Sequence, residues 1–215
     1  MNEIIRLKVG KEYYPTNCYI IKDSNNNTII IDPGYEANKI ISEIESNSLK
    51  VLVVILTHGH ADHLGALEEI LSKYKCNVII HEKDVDGFTN DDKAHFSKLS
   101  VKIPLIDKEN IITCKDSDIL EYGNIKLEVI HTPGHTNGSV CLYEKLSNVL
   151  FTGDTLFEEC YGRCDLKYSN IDDMGKSLEI LFERFSNLII YPGHEESINI
   201  DNIKKHIRLL YALRR

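Results

Sequence analysis

The chain predicts a layered α/β or α+β fold, a sheet-on-sheet core with helices outside, and three observations predict it. Short β-type runs dominate both halves, and each half then passes into amphipathic helices. One run, Val51 to Leu56 (VLVVIL), is apolar at every position, as expected of a strand covered on both faces. In order, Ile4 to Val9, Cys18 to Lys22 and Thr28 to Ile31 read as strands. From Glu36 to Ser46, apolar Ala37, Ile40, Ile41 and Ile44 recur at helical spacing, and after VLVVIL the stretch Leu64 to Tyr74 does the same with Leu64, Leu67, Ile70 and Leu71. Asn77 to Ile80 closes this strand, loop, helix, strand unit. Glu82 to Glu109 is polar and irregular, and its part up to Lys108 is expected to border the functional site, because long loops in compact domains are often functional. Strands return at Ile125 to Ile130, Ser139 to Tyr143 and Val149 to Phe151; a helix at Asp172 to Phe185 leads to a strand at Leu188 to Tyr191. The ending, Ile200 to Leu213, is helical by the spacing of Ile203, Ile207, Leu210 and Leu213, and the basic Arg214-Arg215 end suits the negative pole of that helix. A faint echo between IIIDPG early and the later strands that end in Pro-Gly-His hints at duplicated halves.

No low-complexity tract or long charge block interrupts the 215 residues, so residues 1–215 are expected to form one domain. Lys plus Arg number 25 and Asp plus Glu 33, a net charge of −8, which disfavours a phosphate-backbone binder and so a nucleic-acid partner. The N-terminal MNEIIRLKVG lacks the apolar core of a signal peptide, and no run approaches a bilayer span; a cytoplasmic protein with no membrane partner is expected. Six cysteines lie at irregular spacings, and only Cys160 and Cys164 are close. A C-x3-C pair with no second pair reads as incidental thiols rather than a redox couple or half a zinc site.

The chemistry concentrates in Thr57-His58-Gly59-His60-Ala61-Asp62-His63, between a buried strand and its helix. Neutral imidazole is the commonest metal donor, and His-x-His on an extended segment points both rings the same way. Asp62 and His63, one step on, point elsewhere, which suits two adjacent metals better than one. With 9 His and 15 Asp in the chain, His-x-His-x-Asp-His arises by chance in roughly one such sequence per thousand. Three further candidates sit just past apolar strands and beside glycines: His135 (Gly134), Asp154 (Gly153) and His194 (Gly193). Five imidazoles and two carboxylates then form an all-N/O donor set, in which two cations sharing Asp154 would fit. His81, His95, His131 and His206 are read as lying outside that set. Asp32 fits either a carboxylate that orients a ligand histidine or an Asx-turn. Polar Ser24 to Asn27 and Asn90 to Lys93 read as solvated turns.

Taken in order, IIIDPG (29–34), THGHADHLG (57–65), HTPGHTNGS (131–139), FTGDTLF (151–157), GRCDL (162–166) and YPGHE (191–195) resemble the metallo-β-lactamase superfamily, and more narrowly its short glyoxalase II-like hydrolases. The resemblance implies a four-layer αββα sandwich. It also implies His58, His60 and His135 on one metal, Asp62, His63 and His194 on a second, and Asp154 bridging. Two divalent ions are expected, zinc first, with iron or manganese also compatible with the donors. Two departures stand out. The chain ends about twenty residues after His194, without the helical region that holds glutathione in the longer glyoxalase II proteins, and it reads Gly162-Arg163-Cys164-Asp165 where short members usually have threonine in place of Cys164. Arg163 fits either a surface cation or, as in those relatives, a contact to the substrate carboxylate.

The expected chemistry is hydrolysis of a hydroxyacyl thioester such as S-lactoylglutathione by a hydroxide activated on the metal pair, with Asp62 and Asp154 as catalytic carboxylates. A thioester suits a site without a strong acid, because a thiol of pKa near 8.5 leaves as thiolate. The rivals are a mononuclear-iron persulfide dioxygenase, a lactonase and a non-enzymatic metal-binding module. A strict antibiotic hydrolase is less favoured, since the best-known ones carry cysteine where Asp154 stands.

Overall fold

The computed structural model describes residues 2–214, the side chain of Arg214 excepted, so the reading of the Arg214-Arg215 end lies outside the described residues. Among the described residues, twelve strands form two six-stranded sheets, one from each half of the chain. The first contains β1 (Glu3–Val9), β2 (Thr16–Lys22), β3 (Asn27–Ile31), β4 (Lys50–Ile55), β5 (Asn77–His81) and β6 (Ile111–Cys114), in that spatial order. The second contains β7 (Ile119–Tyr122), β8 (Ile125–His131), β9 (Val140–Glu144), β10 (Val149–Gly153), β11 (Ile189–Pro192) and β12 (Ile198–Asn199), ordered β12-β11-β10-β9-β8-β7. The helices are α1 (Ala37–Ser46), α2 (Ala61–Leu64), α3 (Leu67–Tyr74), the single turns α4 (Asp91–Ala94) and α5 (Phe96–Leu99), α6 (Ile171–Arg184) and α7 (Ile200–Arg214).

Side-chain alternation explains the layers. In β2 and β3, Tyr19, Ile21, Ile29 and Ile31 point to the other sheet, where they meet Leu127, Val129, Leu142 and Phe151. Their neighbours Ile20 and Ile30 point outward and pack under Ile40 and Ile44 of α1 and Leu67 and Ile70 of α3. VLVVIL splits the same way: Val53 and Ile55 enter the inter-sheet core, Val54 and Leu56 the outer one. Behind the second sheet, Cys141, Leu150 and Ile190 pack against Leu178 and Leu181 of α6 and Ile203 and Ile207 of α7. Three cores between four layers make the expected αββα sandwich. Truncating one such buried side chain, Ile55 for example, costs about 2–5 kcal/mol.

Several local expectations change. The helix expected at Leu64 to Tyr74 is two helices, because the Ala66 N–H turns away to donate to the Pro33 carbonyl at 3.0 Å. The irregular 82–109 segment holds a 3-10 helix at Glu82–Phe88 followed by α4 and α5, and Asn90, read as part of a solvated turn, caps α4 by accepting from the Asp92 N–H. Edge strands β6 and β7 went unread, their half-exposed residues giving weak alternation. Asn170 caps α6 through the Asp172 and Asp173 N–H groups, with both acids in the first turn and Arg184 in the last.

Candidate metal centre

The loop after β4 carries His58 and His60, and the short helix α2 that follows carries Asp62 and His63; the turns after β8, β10 and β11 supply His135, Asp154 and His194. The sheets meet at this end of the sandwich, and all seven side chains converge. Three overlapping groups have ligand atoms within 4.8 Å of one another: His58, His60 and His135; His58, His63 and Asp154; and Asp62, His63 and His194. Asp154 sits between them, its Oδ1 3.3 Å from His63 Nε2 and its Oδ2 3.4 Å from His135 Nε2 and 3.6 Å from His194 Nε2. Asp62 Oδ2 lies 3.5 Å from His194 Nε2.

Hydrogen bonds fix which nitrogen of each ring faces the centre. The Nδ1–H groups of His135 and His194 donate to the carbonyls of Arg163 and Pro15, both at 2.9 Å, and a carbonyl can only accept. His63 Nδ1–H donates to Asp32 Oδ2 at 3.0 Å. The Thr57 hydroxyl gives its proton to Asp32 Oδ2 at 2.6 Å, so it accepts from His58 Nδ1–H at 3.1 Å. Four rings thus turn Nε2 inward, while His60 turns Nδ1 inward, 2.9 Å from His135 Nε2. Of the two readings of Asp32, the orienting carboxylate is the one observed: with φ 52 at the end of β3, it receives His63, the Thr57 hydroxyl and the Thr57 N–H at 2.8 Å.

Three polar atoms at the centre are buried without a hydrogen-bond partner: His58 Nε2, His63 Nε2 and Asp154 Oδ1. Orphaned atoms of that kind are rare in folded proteins, and here all three belong to one group whose ligand atoms lie within 4.8 Å of one another. A Cβ on Gly193 would run into Asp154 Oδ1 and lie 2.7 Å from the His63 ring, so only glycine keeps that space open. Buried N/O donors with inward lone pairs fit divalent metal ions.

The electrostatics agree. Burial, together with neighbouring imidazoles, pulls His58 and His60 well below the usual histidine range and keeps both in the neutral, ligating form. Burial opposes charge on His63 and His194 too, but the carboxylates of Asp154 and Asp62, with Asp32 beside His63, overcome it and hold both rings above that range. Burial would raise Asp62, yet His63 and His194 bring it down to about 2, and the same two rings hold Asp154 well below the carboxylate range. The two carboxylates demand positive charge, which protons on His63 and His194 supply when no metal is bound.

A cleft of about 670 Å³ opens over the centre. Besides the clustered His and Asp residues it is lined by Tyr14, His95, Lys98, Leu99, Phe157, Cys160, Tyr161, Arg163 and Leu166, so the 82–108 segment does border the site, through α5 and His95 just before it. Tyr14 stacks on His194 with ring centroids 4.1 Å apart. Arg163 lines the cleft while its guanidinium pairs in two-pronged fashion with Asp165 at 2.9 Å. Among the histidines read as outside the donor set, His131 stacks on His81 at 4.2 Å and His206 meets the Glu159 carbonyl, both away from the centre. His95 belongs to none of the three groups, yet its ring is 5.2 Å from that of His60 on the cleft wall. Among the described residues no disulfide forms; Cys160 lies 3.8 Å from Glu195 Oε1 and Cys164 3.3 Å from the Gly162 carbonyl. One residue the motifs did not flag is Asp84, a buried carboxylate that ties the 58–60 loop to the 135–138 turn. Nothing local marks it, because its partners are 25 to 54 residues away in sequence. No helix among the described residues is long and apolar enough to cross a membrane.

The family model of the metallo-beta-lactamase superfamily matches residues 13–194. The chain is 36% identical over 200 residues to the Probable metallo-hydrolase MJ0888 of Methanocaldococcus jannaschii, covering 88% of this chain and 92% of that one. It is 30% identical over 200 residues to the Hydroxyacylglutathione hydrolase GloC of Haemophilus influenzae, covering 89% and 91%. Among solved structures it is similar to the BLEG-1 B3 metallo-beta-lactamase, with TM-score 0.87, 27% identity and coverage of 97% and 99%. With the αββα layers, the converging His and Asp side chains and a family match over most of its length, the chain belongs to the metallo-beta-lactamase superfamily of metal-dependent hydrolases, whose members typically bind two metals.

Proposed function

We propose that the chain hydrolyses hydroxyacyl thioesters of an anionic thiol carrier, of the S-lactoylglutathione kind. In this reading His58, His60 and His135 hold one divalent metal, Asp62, His63 and His194 a second, and Asp154 lies between them. The observation that carries it is the convergence of these side chains, with His58 Nε2, His63 Nε2 and Asp154 Oδ1 buried and unmet. When bound, a metal pair supplies a water acidic enough to ionise near neutral pH and polarises the substrate carbonyl. Zinc suits this all-N/O set, and iron or manganese is compatible with it.

The chain's own residues do the rest. The Nδ1–H anchors at Asp32, Thr57, Pro15 and Arg163 hold the rings in one tautomer, so binding needs no reorientation. Asp62, whose carboxylate lines the cleft, is also placed to accept a hydrogen bond from water there. Tyr14, Leu99, Phe157 and Leu166 form apolar walls that exclude bulk water from the acyl group. Outside the cluster the lining, among the described residues, has two cations and no carboxylate: Lys98, and Arg163, which is paired with Asp165 just outside the lining; the cations complement an anionic carrier in a chain of net charge −8. A thiolate leaving group needs no strong acid. The similarity to GloC supports the thioester, and a small-molecule substrate taken from the cytoplasm fits the cleft and the charge balance. The likeness to BLEG-1 favours one second reading, opening of a β-lactam ring.

The test gives the zinc-reconstituted chain S-lactoylglutathione, a chromogenic cephalosporin and glutathione persulfide under oxygen. Thiol release matched by acid production, with no oxygen uptake, is expected. Turnover of the cephalosporin alone, or oxygen consumption with the persulfide alone, overturns the reading.

A further inference from the structure

Asp84 stands on the 3-10 helix after β5, outside every group of candidate ligands, yet its carboxylate is buried between two of the loops that carry them. Its Oδ2 accepts from the Gly59 N–H at 3.0 Å, the peptide between His58 and His60, and from the Thr136 hydroxyl at 2.6 Å, one residue past His135. Its Oδ1 accepts from the Gly138 N–H at 2.8 Å. The loops meet too closely for a second side chain: a Cβ on Gly138 would lie 2.6 Å from Asp84 Cγ. Asp32 plays the matching part for His63, accepting from that ring and from the Thr57 N–H and hydroxyl.

We infer that Asp84 is the positioning residue of the His58, His60 and His135 triad, setting the distance between the 58–60 loop and His135 and hence the metal affinity of that triad, while the Asp62, His63 and His194 group is independent of it. This rests on the reading above that both groups hold metal. An asparagine at 84 cannot replace the carboxylate. One of its two terminal atoms becomes an NH2 group, so either the Gly59 or the Gly138 N–H faces a donor and the loops separate.

The test is zinc titration of the full chain, with ¹⁵N-imidazole spectra to report which histidines each ion engages. Asp84→Asn is expected to lower zinc affinity at His58, His60 and His135 by about 10–100-fold, with His63 and His194 bound as in wild type. Thr136→Val removes one of the three bonds and should give a smaller loss at the same triad, and Thr136→Ser, which keeps the hydroxyl, should restore it. This milder pair keeps the test decisive if Asp84→Asn fails to fold. Equal losses at both groups, or no loss at either in both variants, overturn the inference. A wild-type chain that engages no zinc at His58, His60 and His135 overturns the metal reading, and the inference falls with it.

Discussion

The two ends of β3 hold aspartates in opposite circumstances. At its start, Asp23 is fully satisfied: it accepts from the N–H groups of Asn25, Asn27 and Asn124 and the Asn27 amide, all at 2.8–2.9 Å. Asn124 belongs to the β7–β8 turn, so Asp23 ties the two sheets together there. Beyond the other end, across the His63 ring from Asp32, lies Asp154, also buried, with Oδ1 unmet and the nearest ring nitrogens at 3.3–3.6 Å. Folding stability explains the first arrangement and leaves the second unexplained, because an orphaned buried carboxylate oxygen costs about 1–3 kcal/mol or more. The same residue type is a staple at one end and a binding group at the other, and what separates them is whether the protein meets its lone pairs.

Substitutions should break that contrast in graded fashion. The largest effect is expected from Asp154→Ala: roughly a thousandfold or greater loss of hydrolysis, with metal content falling below two per chain, read by steady-state rates and elemental analysis. Next, Asp32→Ala removes the acceptor of His63 and of both Thr57 donors, and should weaken metal binding about 10–100-fold while costing about 1–3 kcal/mol in urea unfolding.

The metal-free chain should show a stability maximum near pH 6.5, the ordinary histidine value. Below it, His58 and His60, held low by burial, refuse protons that the unfolded chain accepts, so stability falls as pH drops. His81, pushed down to about 4 by burial and the stacked His131, adds to that loss until the pH reaches about 4. Above it, His63 and His194, held high, lose stabilising protons as pH rises through their raised values. Zinc should abolish the alkaline arm, because it takes the place of those protons; urea midpoints across pH 5–9 with and without zinc test this, and a single slope in the metal-free chain would contradict it. The smallest effect belongs to the far end: Asp23→Ala should cost about 1–3 kcal/mol and leave metal stoichiometry unchanged.

The asymmetry between the halves also decides what could be read in advance. The first half puts four candidate ligands in six consecutive positions, so the pattern His58 to His63 is visible in one dimension. The second half scatters His135, Asp154 and His194 over three strand ends, where only the adjacent glycines and the ends of apolar runs gave them away. Asp84 left no trace, being one aspartate in a polar stretch whose partners arrive only when the sheets close. The core strands were legible because burial on alternate faces imposes period two; β6 and β7 were not, since an edge strand exposed to water is under no such constraint. The split between α2 and α3 depends on the Pro33 carbonyl, a contact across 33 residues that no local pattern encodes.

The central claim is that the converging side chains form a two-metal centre, and element-resolved metal content per chain, on protein purified without added metal or chelator, tests it most directly. Close to two equivalents, lost on Asp154→Ala, is the predicted result; a chain that carries no metal and takes up none on titration, or a single equivalent indifferent to Asp154, would contradict it.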